Sequence, residues 1–200
     1  MELLPYSWEP SEATGAYYLR ATASLAYQPS PKHFHLEAGS MMQHSHVSLR
    51  PTNQADLATL FLFQLDPQAA YLAAFMPKDS TDKAAYLEKF TRFLQDPTIH
   101  MQTILVAGVI AGSIAKFELA GEAELTYWLA RSCWGKGIAT AALTQFLTLE
   151  PTRPLIGRVA FDNIGSQRVL GKAGFVKIGT DTGFAHARQA EITEFIYRLT

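Results

Sequence analysis

The sequence predicts a mixed α/β domain, and three observations carry that prediction. A strand-like run at 124–129 passes through a glycine turn, Gly135-Lys136-Gly137, into a helix-like run. The alternation then repeats, with a strand pattern at 155–161, a helix pattern at 163–173 and a further strand from Phe175. The chain has 200 residues, 48% hydrophobic and 18% charged, enough for one well-filled core and unlike a disordered composition.

Taken in order, residues 1–45 read as an extension outside the domain, partly disordered. They hold Pro5, Pro10, Pro29 and Pro31 and little apolar periodicity; residues 17–26 suit either a short strand or a short helix. The domain spans 46–200. Thr52 or Asn53 caps a helix running to Leu65, with Leu57, Leu60, Phe61 and Gln64 near one face. The segment Asp79-Ser80-Thr81-Asp82 precedes a second helix, Lys83–Gln95, whose apolar side is Tyr86, Phe90, Phe93 and Leu94. Residues 103–108 and 109–119 are two strands that meet near Gly108 or Gly112. After the strand at 124–129 and the turn, Ile138, Ala142, Phe146 and Leu149 form the inner face of a helix. In the helix at 163–173, Asn163 and Ser166 share one face, Val169 and Leu170 turn to the core, and Gly174 is a left-handed stop. Strands at 175–180 and 192–199 complete the domain.

Glycines at the end of a strand let the backbone approach a ligand closely, and a helix opening there points unpaired N–H groups at an anion. The turn therefore reads as a pyrophosphate cradle, with a ligand-free strand-to-helix turn as the bland alternative. Neither generic nucleotide pattern fits. Thr140 stands where a dinucleotide loop needs its third glycine, and the phosphate-loop spacing is absent.

Two segments together carry a family resemblance. Trp134-Gly135-Lys136-Gly137-Ile138-Ala139 resembles the pyrophosphate motif Gln/Arg-x-x-Gly-x-Gly/Ala of the GCN5-related N-acetyltransferases (GNAT), with Trp134 in the Gln/Arg place. Asn163, Ser166, Val169, Leu170, Lys172, Gly174 and Phe175 resemble that family's second signature. The Trp-Gly-Lys-Gly form with Ser166, and the opening at 47–57, are most similar to the ribosomal-protein alanine N-acetyltransferase (RimJ/RimL-type) branch. The resemblance covers roughly 46–200. It implies the GNAT fold: a central mixed, mostly antiparallel twisted sheet, splayed between strands four and five and flanked by helices.

It further implies acetyl-CoA as cofactor and direct acetyl transfer to a primary amine, a protein N-terminus or a small molecule, in a ternary complex. The pantetheine arm would lie along 124–129, with a backbone N–H near Trp128 or Leu129 polarising the thioester carbonyl. Gly135, Lys136, Gly137, Ile138, Ala139 and Thr140 would hold the pyrophosphate, and Asn163 the pantetheine. Lys172 or Arg168 would reach the 3′-phosphate, against the alternative of a solvated helix face. Carboxylates able to deprotonate the amine are Glu122, Glu124, Glu191 and Glu194, with Glu124 on the cofactor strand. Many members place a proton-donating tyrosine where this chain has Leu170, and Ser166 is the substitute that the ribosomal branch suggests; a serine satisfying local backbone groups is the alternative. The missing tyrosine keeps open a CoA-binding regulatory or structural module without turnover. An acyltransferase using a longer acyl-CoA is a further alternative.

Composition bounds the rest. A formal net charge of −1 gives no case for nucleic acid. No apolar run reaches the roughly 18 residues of a membrane span, and no basic-then-apolar leader opens the sequence, so a cytoplasmic protein is expected. A single cysteine, Cys133, reads as a structural thiol. His33 and His35, and His44 and His46, are spaced to chelate on a strand, but no cysteine or carboxylate cluster completes a site, so no metal is expected. Phe61, Phe63, Tyr71, Phe75, Tyr86, Phe90 and Phe93 crowd the first helices, as core or as an apolar acceptor pocket. The acceptor's identity and a homodimer both stay open.

Overall fold

The computed structural model describes residues 46–200, so the expectations for 1–45 lie outside the described residues. Seven strands form one sheet in the order β1-β2-β3-β4-β5-β7-β6. They are β1 (Val47–Pro51), β2 (His100–Val106), β3 (Val109–Leu119), β4 (Glu122–Leu129), β5 (Leu155–Ala160), β6 (Val176–Ala185) and β7 (Ala190–Leu199). Every neighbouring pair is antiparallel except β4 and β5. Those two run parallel and pair only at Ala123–Leu155, Glu124–Ile156 and Leu125–Gly157. Beyond Leu125 they part, while β4 stays paired to β3 as far as Leu129. This is the expected splay.

The helices are α1 (Leu57–Gln64), α2 (Pro67–Ala73), α3 (Lys83–Gln95), α4 (Ile138–Leu149) and α5 (Ile164–Lys172). A 3-10 turn, Gln54–Asp56, leads into α1; Asn53 caps it and accepts from Asp56 N. The Asp56 carboxylate accepts two bonds from Arg50, at 2.6 and 2.7 Å, and one from Thr103 Oγ1. It thereby ties the start of α1 to β1 and β2. Asp82 caps α3 through Ala85 N, as its position predicts.

Each sheet face has its own core. Leu143 and Phe146 of α4 and Leu170 of α5 pack with Ile104, Ile114, Leu125 and Leu129. On the other face Leu57, Leu60 and Phe90 of α1 and α3 pack with Met101 and Ala115.

Strand ends shift by two or three residues at β2 and β7, and three larger details differ from the sequence reading. A helix not predicted there, α2, is capped by Asp66, which accepts from Gln68 N and Ala69 N, and it opens on Pro67. Strand β6 runs five residues beyond Thr180, to Ala185, because β7 pairs with it along its whole length. Leu149 is 52% exposed instead of facing inward, because α4 ends there, past the core, and Glu150 turns inward in its place.

Candidate active site

The glycine turn sits where β4 gives way to α4. Gly135 and Gly137 have φ of +70° and +76°, a left-handed conformation that β-branched residues avoid, and no atom lies within 4 Å of where a Cβ would stand on either. Gly137 is the N-cap of α4 and contributes no side chain, so its carbonyl takes Ala141 N while the N–H groups of Ile138, Ala139 and Thr140 open the helix. Lys136 is exposed beside them, whereas Ile138 and Ala139 are buried. Trp134 is buried, and its indole N–H donates to Leu129 O at 3.0 Å, so it pins the turn to the end of β4.

The parting of β4 from β5 leaves one edge of β4 open. Ala130 N donates to Ala111 O on the β3 side, so the ladder's alternation turns Leu129 N–H the other way, toward the gap. Of the backbone N–H groups of Trp128 and Leu129, that of Leu129 faces the gap. Gly112 faces this point, where a Cβ would fall 2.0 Å from Trp128 O, so only glycine lets β3 approach so closely.

The second motif arrives beside the gap. Asn163 is the N-cap of α5, accepts from Ser166 N at 3.1 Å and donates to Leu72 O at 3.2 Å. Both Asn163 and Ser166 are buried. Ser166 Oγ lies near the hydroxyl of Tyr127 on β4, close enough to act on that phenol, yet neither oxygen makes a hydrogen bond of normal geometry. Burial pushes the Tyr127 phenol well above its usual range, and the serine opposes this only in part. Lys172 and Arg168 are exposed along α5.

Glu124, Thr126 and Trp128 alternate onto the opposite face, where Trp128 lines a cavity with Tyr86 and Phe90 of α3. Here the sequence reading missed a partner. Arg158 of β5 donates to Glu124 at 3.0 Å, to Glu194 of β7 at 3.2 Å and to Asp181 of β6 at 3.3 Å. Glu124 and Glu194 are both nearly inaccessible. Burial opposes the guanidinium charge, but the two glutamates outweigh it and raise the Arg158 pKa. Of the four carboxylates first considered, the fold gathers Glu124 and Glu194; Glu122 and Glu191 are exposed at strand starts. Two cavities, of about 360 and 130 Å³, lie on this face against α3. Tyr86 and Phe90 line the smaller with Trp128, and Phe93 lines the larger, so three of the crowded aromatic residues do wall a pocket.

Among the described residues no group of three or more His, Cys, Asp and Glu is arranged to hold a metal, and no helix is long and apolar enough to cross a membrane.

Comparison with known proteins agrees with this geometry. None of the curated proteins compared with the sequence matches it. Solved structures with a similar fold include RimJ of Mycobacterium smegmatis in complex with CoA-disulfide, with 22% identity over 78% of this chain and 83% of that one and a TM-score of 0.65. They also include the microcin self-immunity acetyltransferase MccE in complex with acetyl-CoA and AMP, with 17% identity over 77% and 92% and a TM-score of 0.64. A third is a ribosomal-protein-S5-alanine acetyltransferase from Vibrio fischeri, with 16% identity over 82% and 96% and a TM-score of 0.63. At these identities the likeness establishes the fold. The sequence model of the acetyltransferase (GNAT) domain matches residues 46–176, well over half of the chain, and the protein accordingly belongs to the GNAT family of acyl-CoA-dependent N-acetyltransferases.

Proposed function

We propose that the protein moves an acetyl group from acetyl-CoA to a primary amine by direct transfer in a ternary complex. The observation that carries this reading is the conjunction of an open β4 edge with a two-glycine turn at the head of α4. Backbone N–H groups of 135–140 take the pyrophosphate, with Lys136 alongside. Two of the fold neighbours, MccE and RimJ, were solved with acetyl-CoA and with CoA-disulfide. Acetyl-CoA supplies the activated thioester. Leu129 N–H, aimed into the gap, donates to the thioester oxygen as negative charge grows there. The amine approaches from the face that carries Glu124 and Glu194, and Glu124, five residues before Leu129 on the strand that lines the gap, takes its proton through intervening water.

Ser166 is the group we assign to protonate the leaving thiolate. It stands on α5 beside the gap with Tyr127 behind it. Asn163 shapes this corner by holding the first turn of α5 against the carbonyl of Leu72, and any bond to pantetheine is made in addition to those contacts. Lys172 and Arg168 remain the candidates for the 3′-phosphate. We also propose that 46–200 is the whole catalytic domain, so that a chain beginning at Met41 keeps its affinity for acetyl-CoA. One fold neighbour is a ribosomal-protein-S5-alanine acetyltransferase, whereas a small amine fits the two half-open cavities on the α3 face better.

Gly137→Val tests the cradle. The side chain would project into the space reserved for phosphate, so acetyl-CoA affinity should fall at least tenfold, about 1.4 kcal/mol. Gly137→Ala, which shares the left-handed strain with less bulk, separates obstruction from misfolding. Unchanged affinity in a folded Gly137→Val protein would refute the assignment.

A further inference from the structure

The two cavities on the α3 face share one residue, Lys89. The larger, about 360 Å³, is walled by Phe93, Ile99, Phe117 and Leu119, and Asp96 and Glu118 also line it. The smaller, about 130 Å³, runs from Tyr86 and Phe90 to Trp128, and Asp79 and Asp82 also line it. Every one of these four carboxylates is already engaged. Asp96 accepts from the N and Oγ1 of Thr98, Glu118 pairs with Lys116, Asp79 accepts from the N and Oγ1 of Thr81, and Asp82 caps α3.

Lys89 differs from them. Among the described residues its ammonium has no hydrogen bond or ion pair, and lies 5.8 and 5.3 Å from the ring centroids of Phe90 and Phe93. Burial first, and then the charge of Arg92, hold its pKa below the usual lysine value. An anion seated beside it offsets both. The Trp128 indole N–H is a second donor on this face, buried and without an acceptor. Both unspent groups are donors.

The opposite polarity lies close by. Phe117, a wall of the larger cavity, is the direct cross-strand partner of Glu124, and such partners stand about 5 Å apart. Beyond it, three carboxylates surround the single guanidinium of Arg158. The face therefore presents an excess of negative charge at the closed foot of the gap, where β4 and β5 are still paired, an apolar cavity, and an unpaired ammonium on the helix above.

We propose that the acceptor is a small primary amine with an apolar body and an anionic group such as a carboxylate, its ammonium directed to the Glu124–Arg158–Glu194 cluster and its anion to Lys89. This rests on the acetyltransferase reading and adds the substrate class. A cavity of about 360 Å³ is of the size that holds a single small molecule. A polycation has no place beside Lys89.

Matched probes test it. Phenylalanine against phenethylamine, and ε-aminocaproate against hexylamine, differ by one carboxylate, and spermidine serves as the polycation. Binding to the CoA-loaded protein is read by calorimetry and acetylation by the release of CoA thiol. At least one carboxylated amine should be preferred over its partner by roughly tenfold or more, the range expected for a hydrogen bond to a charged group. Lys89→Met should reduce that ratio to near unity, and Lys89→Arg should restore much of it; Lys89→Gln substitutes if the methionine variant does not fold. A wild-type protein that favours the decarboxylated amines or spermidine, or a Lys89→Met ratio equal to wild type, would overturn the proposal. Failure of the cofactor reading shows separately, as wild-type protein with no saturable binding of acetyl-CoA.

Discussion

Replacing Arg158 with methionine probes whether the charge cluster beneath the acceptor face is part of the folded framework. One guanidinium contacts Glu124 at 3.0 Å and Glu194 at 3.2 Å, and both carboxylates are nearly sealed from solvent. With charge centres roughly 4 Å apart and an effective dielectric of about 20, each contact is worth about 4 kcal/mol before desolvation. Much of that attraction offsets the cost of removing three ions from water, so the pairs add little net stability over an apolar cluster. Deleting one member is different, since it leaves like charges facing each other in the interior. Such a loss typically costs roughly 3–5 kcal/mol. Arg158 retains some solvent access, and its third partner Asp181 is more exposed, so about 3 kcal/mol is expected for Arg158→Met at neutral pH. Urea denaturation measures it. Adding Glu194→Gln removes one of the stranded charges and should recover about 1–2 kcal/mol in a double-mutant cycle. A loss below about 0.5 kcal/mol for Arg158→Met, the size of an exposed ion pair, would refute the picture of a buried cluster.

Four further outcomes follow from the same geometry. The Arg50 hydrogen bonds hold the Asp56 carboxyl below its usual range despite its burial, so Asp56 contributes stability that is full above the unfolded value near 3.8 and is lost as pH falls through the lower folded value. Asp56→Asn should cost roughly 1.5–3 kcal/mol at pH 7 and make stability less sensitive to acid; an unchanged acid limb of the stability curve would contradict this. Burial raises the phenols of Tyr127 and Tyr197, so their contribution is intact below the unfolded value of 10 and is lost as pH rises above it. Tyr127→Phe should therefore flatten alkaline unfolding and cost less than about 1 kcal/mol at pH 7, because its hydroxyl has no hydrogen bond of normal geometry to lose; a larger loss would mean that the contact with Ser166 is stronger than its geometry implies. Ser166→Ala should lower kcat by roughly 10²–10⁴-fold with acetyl-CoA affinity kept, whereas a loss under about threefold assigns the proton to water or another group. Glu124→Gln should lower the rate most at neutral pH and recover as pH approaches the pKa of the free amine, and a flat, wild-type profile would move the base to Glu194, Glu191 or a water chain.

How much was legible in the sequence depends on how local each signal is. The β4–turn–α4 unit could be read because Gly135 and Gly137 mark a left-handed turn that few other residues tolerate, and the alternation on each side of it is strong. Helix α3 is legible to the residue because a polar Asp-Ser-Thr-Asp segment precedes apolar residues at helical spacing, and the structure shows Asp82 as its cap. Helix α2 had a readable signal as well: an aspartate followed by proline is a cap and a first helical residue. Its brevity and the aromatic residues around it hid that signal. Arg158 could not be found as a partner of Glu124, because their meeting depends on the parallel β4–β5 register and on β7 lying beside β5, neither of which is local. Asn163 and Ser166 were placed on one face, as observed, but the capping bond turns that face into the protein, where Leu72 of α2 supplies the acceptor. Lys89 carried no signal at all. Its isolation from carboxylates emerges only when the two cavities and the spent acidic groups around them are seen together.

The claim on which the rest stands is that acetyl-CoA lies in the β4–β5 gap with its pyrophosphate on the head of α4. Titrating ¹⁵N-labelled protein with acetyl-CoA and following the backbone amide signals tests it most directly. Saturable shifts are expected, largest at Gly135, Lys136, Gly137, Ile138, Ala139 and Thr140, with a second group at Leu129 on the open edge of β4. Shifts confined to the α3 cavities, or no saturable shift anywhere, would contradict it.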